Sequence, residues 1–181
     1  MLVIVHPDSA CGSADFNLGR ECAEYQRLEM QLLVEQWEGG VLVLDGGMTD
    51  ELDGFRRSWN EWGTTIKNAI KRASENGFIA ERVLAADGSE YPQQQAIVDL
   101  VNKYALTPTN TDIVLTGAWV DDDGGGCVHS VREELEKIGF TPTVEDAMNL
   151  DFEMDESEED LEEDTSPEMP IIAPTRRQAK F

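Results

Sequence analysis

Cys127 stands directly behind three glycines and opens the run CVHSVREELEKIG, whose apolar residues recur at helical spacing. A thiol at a helix N-terminus faces unpaired N–H groups and the positive end of the helix dipole, which favour thiolate. The same N–H groups are placed to hold an oxyanion. The plain alternative is a helix-start cysteine buried beneath its loop. Other chemistry-bearing residues follow short apolar runs: His6, Asp8 and Cys11 after LVIV, Asp45 after VLVL, Asp87 after a third run and Asp121-Asp122-Asp123 after a fourth. Glycines stand beside most of them (Gly46-Gly47, Gly88, Gly124-Gly125-Gly126) and let backbone turn sharply and approach a ligand. His6, Asp45, Trp119 and Gly126 are the candidate binding positions. For Asp45 and Asp87 an Asp-Gly turn is the competing explanation, and for His6 a satisfied imidazole ending a strand. The three consecutive aspartates lack the alternate spacing of a calcium loop, so no metal or other cofactor is expected.

The elements that must carry these residues alternate in type. LVIV (2–5) and VLVL (41–44) are continuous apolar runs of the kind buried on both sheet faces. Between them a helix is predicted over 18–37, with Cys22, Tyr25, Leu28, Leu32 and Leu33 along its apolar stripe, stopped by Gly39-Gly40. A second helix carries Trp59, Trp62, Ile66, Ile70 and Ala73 and stops at Gly77. A third strand is predicted over 78–86, and Pro92 in the first turn of a helix bearing Ile97, Leu100, Val101 and Tyr104. A fourth strand over 113–116, a helix with Val128, Val131, Leu135 and Ile138, and a short strand over 140–144 complete the pattern. Strands alternating with helices require parallel pairing and right-handed crossovers, hence a three-layer α/β/α sandwich with a mostly parallel sheet. Its ligand crevice is expected beyond the carboxyl ends of the strands.

The 181 residues carry 14 Lys plus Arg against 37 Asp plus Glu, a formal charge of −23. That field repels phosphate backbones and anionic lipid, so direct nucleic-acid binding and a membrane surface are excluded as expectations. Basic partners and mimicry of nucleic acid are not. Residues 1–150 form the expected sandwich domain with a net charge of −15, and 151–181 an acidic tail at −8. Residues 155–164, DESEEDLEED, hold one apolar side chain in ten, a composition that favours a solvated, disordered tail. The alternative is an electrostatic spacer carrying a docking peptide, residues 169–181. No apolar run approaches the roughly twenty residues needed to span a bilayer. The opening MLVIVHPDS reads as a strand rather than a signal peptide. Three cysteines at unrelated spacings suit reduced thiols in a cytoplasm.

The stretch IVLTGAWVDDDGGGCVHSVREELEKIGFTPTVEDA (113–147) resembles the isochorismatase-like cysteine hydrolases. Thr116-Gly117, Cys127-Val128, Gly139-Phe140 and Asp146-Ala147 follow the order of that family's signature, and Asp15-Phe16 is similar to its early Asp-Phe pair. The resemblance implies a family-type sandwich, a dimer or larger assembly, and a cysteine attacking a small amide or related molecule while an aspartate acts as base. Cys127, with Asp8 or Asp15, would fill those roles. His129, about 200° around the helix from Cys127, is not expected to be the base. The family's lysine has no counterpart in FIAERVLAADG (78–88), which offers Arg82, and the loop before Cys127 carries an acidic, glycine-rich insert. These departures leave two further readings open. One is a non-catalytic protein that binds a basic protein partner through its acidic surface and tail. The other is metal-assisted ester or phosphoryl chemistry on Asp8, Asp45 and Asp121.

Overall fold

The computed structural model describes residues 1–10, 14, 17–46, 56–86 and 90–152, with side chains described from 62 onward in the second helix. The elements, in chain order, are β1 (Leu2–Val5), α1 (Arg20–Gln36), β2 (Val41–Asp45), α2 (Arg56–Glu75), β3 (Ala80–Leu84), α3 (Gln93–Lys103), β4 (Val114–Val120), α4 (Gly126–Lys137), β5 (Thr143–Val144) and β6 (Met148–Asn149). The sheet has the order β3-β2-β1-β4-β5, β6 adds to β4, and every pairing is parallel.

The continuous apolar runs are explained by burial on both faces. Alternate residues of β1 and β2 point opposite ways. Leu2, Ile4, Val41 and Val43 join Ala23, Met30, Val34, Trp62 and Ile66 of α1 and α2 in one core. Val3, Val5, Leu42 and Leu44 join Ile97, Leu100, Val128, Val131 and Leu135 of α3 and α4 in the other. Helices therefore cover both faces of a parallel sheet. The chain steps outward from β1 to β2 to β3, then returns to place β4 on the free side of β1. That reversal puts the topological switch point between β1 and β4.

The third strand is shorter than the sequence predicts and the fourth longer. β4 runs four residues beyond 116, and β6, which the sequence did not reveal, pairs Met148 and Asn149 with Ala118 and Val120. Pro92 immediately precedes α3 rather than opening it.

The expected stripe of α1 is corrected. Tyr25, Leu28 and Leu32 are about half exposed, and the buried face is Ala23, Gln26, Arg27, Met30 and Val34. Two polar residues take core positions because backbone groups satisfy them. Gln26 donates through Nε2 to the Asn149 carbonyl (3.2 Å) and accepts the Asn149 N–H at Oε1 (2.7 Å), as a neighbouring strand would. Arg27 donates to the Ala10 carbonyl (3.0 Å). These partners lie 17 and 123 residues away, beyond the range of a helical period.

Candidate active site at the switch point

Val5, the last residue of β1, is in register with Gly117, and β4 runs on three residues further to Val120, so both strands lead to the carboxyl edge of the sheet as neighbours. Gly117 makes this possible. Its φ is +120°, and a β-carbon there would overlap the Val5 carbonyl oxygen and lie 2.7 Å from Val5 N.

After β1 the chain does not rise into solvent: residues 2–10 are all buried. His6 N–H still donates to the Leu44 carbonyl (2.7 Å), and Ser9 N–H donates back to the His6 carbonyl (3.0 Å), forming a turn with His6 at φ 44°. The His6 ring lies 2.8 Å, through Nε2, from the Ala85 carbonyl. A carbonyl only accepts, so this contact places the proton on Nε2. Asp8, 7 % exposed, accepts the Gly46 N–H at Oδ1 (3.1 Å). Position 46 suits glycine because a β-carbon would stand 3.0 and 3.1 Å from the two Asp8 carboxylate oxygens. The turn is held from outside by Arg27 on Ala10 and by the Trp62 indole N–H, which donates to the Pro7 carbonyl (2.8 Å). Trp62 is legible in the sequence as a core residue. Its role in positioning the His6–Asp8 segment is not, because the partner is 55 residues away.

After β4, the Asp121 carboxylate accepts the Gly125 N–H and closes the acidic loop on itself. Gly126, at φ 88°, brings its backbone against the Trp119 carbonyl, where a β-carbon would clash. Cys127 is the second residue of α4 and is partly buried against the α3–α4 core. The Trp119 side chain instead packs toward the α1–α2 core, on the opposite face of the sheet. Asp45 ends β2 and is paired with Arg82 of β3, so the one cation the third strand offers is held by a carboxylate. Asp15, Cys11 and Asp87 lie outside the described residues.

The structure thus brings His6, Asp8 and Gly46 into one contact group, and places Gly126 and Cys127 on the neighbouring segment at the same edge. Two further polar atoms stand in the first two turns of the helices that begin there. Gln93 Oε1 in α3 and His129 Nδ1 in α4 are buried with no hydrogen-bond partner among the described residues. Nothing in the sequence around Gln93 marks it. Among the described residues no group of three or more His, Cys, Asp and Glu side chains stands ready to hold a metal ion. The shifted titrations lie elsewhere, at the Met1 amine, at Lys137 at the far end of α4, and on the β3–α3 side. The Lys103 ammonium and the Tyr104 hydroxyl hold the Glu81 carboxyl below its usual range, and burial, with Asp99, pushes the Tyr91 hydroxyl up. The groove of about 890 Å³ beside Trp37, Arg72 and Phe78 sits at the opposite, amino-terminal edge of the sheet.

Comparisons with family models, curated proteins and solved structures give no match. The reading of the site therefore rests on its own residues. Among those described, no helix is long and apolar enough to cross a membrane.

Proposed function

We propose that this chain is an isochorismatase-like hydrolase acting on a small amide or related molecule. The single observation that carries the reading is the pairing of Val5 with Gly117, by which the strands that lead to Asp8 and to Cys127 are neighbours at the sheet's switch point. In the proposed reaction Asp8 takes the thiol proton and the Cys127 sulfur attacks the carbonyl carbon. N–H groups of the first turn of α4 hold the oxyanion. The C–N bond breaks as the amine takes the proton, and water then hydrolyses the thioester, releasing acid and thiol. His6, fixed by Ala85, orients the turn that carries Asp8. The Gln93 side-chain oxygen Oε1, a buried acceptor on the helix that follows β3, suits a substrate N–H. A soluble, cytoplasmic setting with reduced thiols accords with this chemistry.

The test is pH-dependent alkylation of the native protein, read at each cysteine by mass spectrometry, followed by amide turnover with Cys127→Ala. Labelling of Cys127 at pH 7 at least about tenfold faster than Cys22, and turnover lost in Cys127→Ala, are expected for an activated nucleophile. Equal, slow labelling of both thiols would remove the nucleophile. A second reading is favoured by the Arg82–Asp45 pair, which leaves that cation engaged with a carboxylate. In it the site is non-catalytic and the acidic surface binds a basic protein. Absence of amide turnover above background in the wild type as well as in Cys127→Ala would select it.

A further inference from the structure

The outward face of α1 is apolar where a solvated helix should be polar. Tyr25, Leu28 and Leu32 recur at spacings of three and four and are 49 %, 53 % and 49 % exposed. They make one stripe along two turns of the helix, about 10 Å long. Glu21, Glu24 and Glu29 are exposed around it. A partner for this face must offer apolar side chains and positive charge together.

The segment that follows β6 reaches this stripe. Beyond β6, Phe152 stacks on Tyr25 with ring centroids 5.7 Å apart and planes inclined by 13°. The Phe152 carbonyl lies 3.6 Å from the Cys22 sulfur, and Gln26 holds Asn149 from the next turn. The connection is thus anchored at the first residue of the stripe. Eighteen residues, 153–170, separate that anchor from Ile171-Ile172, and Arg176, Arg177, Lys180 and Phe181 follow. Eighteen residues can span at most about 60 Å, several times the length of the stripe.

We propose that residues 171–181 dock on the Tyr25–Leu28–Leu32 face of their own chain. Ile171 and Ile172 cover the leucines, and Arg176, Arg177 and Lys180 pair with Glu21, Glu24 and Glu29. Charge selects this occupant over a second copy of the chain. Two α1 helices face to face would oppose the same glutamates, in a molecule of net charge −23. The intervening acidic run is repelled by the same rim, so it spaces the docking segment from its anchor without competing for the face. Tethering supplies an effective concentration near millimolar, enough for a contact that need not hold between separate molecules.

Carbodiimide cross-linking of the full chain tests this, using a mixture of light and heavy-isotope protein. The Lys103–Glu81 pair, 2.6 Å apart, serves as an internal control for the coupling. Links from Lys180 to Glu21, Glu24 or Glu29 are expected only within light or within heavy chains. Their yield should fall at least about tenfold in the Ile171→Ser/Ile172→Ser variant, given the apolar area each isoleucine buries. Light–heavy links would show that a second copy covers the face and overturn the proposal. So would absence of the Lys180 links while the control link forms, or a yield unchanged by the double substitution.

Discussion

Replacing Gly117 by alanine perturbs the one place where β1 and β4 approach closely enough to need a residue without a side chain. Two costs add. At φ +120° an L-residue with a β-carbon is strained by about 1–3 kcal/mol. The new β-carbon would also overlap the Val5 carbonyl oxygen and stand 2.7 and 2.8 Å from Val5 N and C. These are backbone atoms of a strand buried on both faces, so neither can swing aside. β4 must move away from β1 and weaken the hydrogen bonds between them, each contributing about 1 kcal/mol. The sum is about 3–5 kcal/mol, a large share of the 5–15 kcal/mol typical of a domain. Urea unfolding of the full chain, followed by tryptophan fluorescence, should show the midpoint falling by about 2 M with little change in slope. Gly77→Ala is the control. Its φ is +75° but nothing lies within 4 Å of its β-carbon position, so strain alone of about 1 kcal/mol is expected. If Gly117→Ala destabilised no more than Gly77→Ala, the close approach of β1 and β4, and with it the geometry of the switch point, would be refuted.

Trp62→Phe should cost about 2 kcal/mol, because the buried Pro7 carbonyl loses the indole N–H donor. Hydrogen exchange of the Ser9 amide, which closes the turn carrying Asp8, should then rise above the wild-type rate; an unchanged rate would deny Trp62 its positioning role. Glu81 supplies a pH dependence. Its carboxyl is held below 4.5, first by the hydrogen bond from Lys103 and then by that from Tyr104, so the folded state binds the proton less readily than the unfolded chain. The stabilisation is present in full above the unfolded carboxylate range and is lost as pH falls through the folded value. Wild type should therefore lose more stability than Glu81→Gln between pH 6 and pH 3, and parallel losses in urea midpoints would contradict the pairing.

Much of the fold can be read from local pattern. LVIV and VLVL are apolar at every position because both faces of a central parallel strand are covered, and no amphipathic element shows that signature. The glycines at 77 and 139 end helices α2 and α4 with positive φ, a stop that depends only on neighbouring backbone. Cys127 at a helix start is equally local. The inward face of α1 is not legible, since Gln26 and Arg27 are core residues only because Asn149 and Ala10 supply backbone partners from distant chain. The same holds for Asp8, whose glycine partner is 38 residues away, and for Gln93, whose burial depends on what packs over it. Periodicity and propensity act over a few residues, so sequence alone determined which segments become strands and helices and which residues stand at their ends. Which of those ends meet, and which polar side chains can be buried with partners, depends on strand order. That order was decided by the tertiary structure, when Gly117 let β4 close against β1.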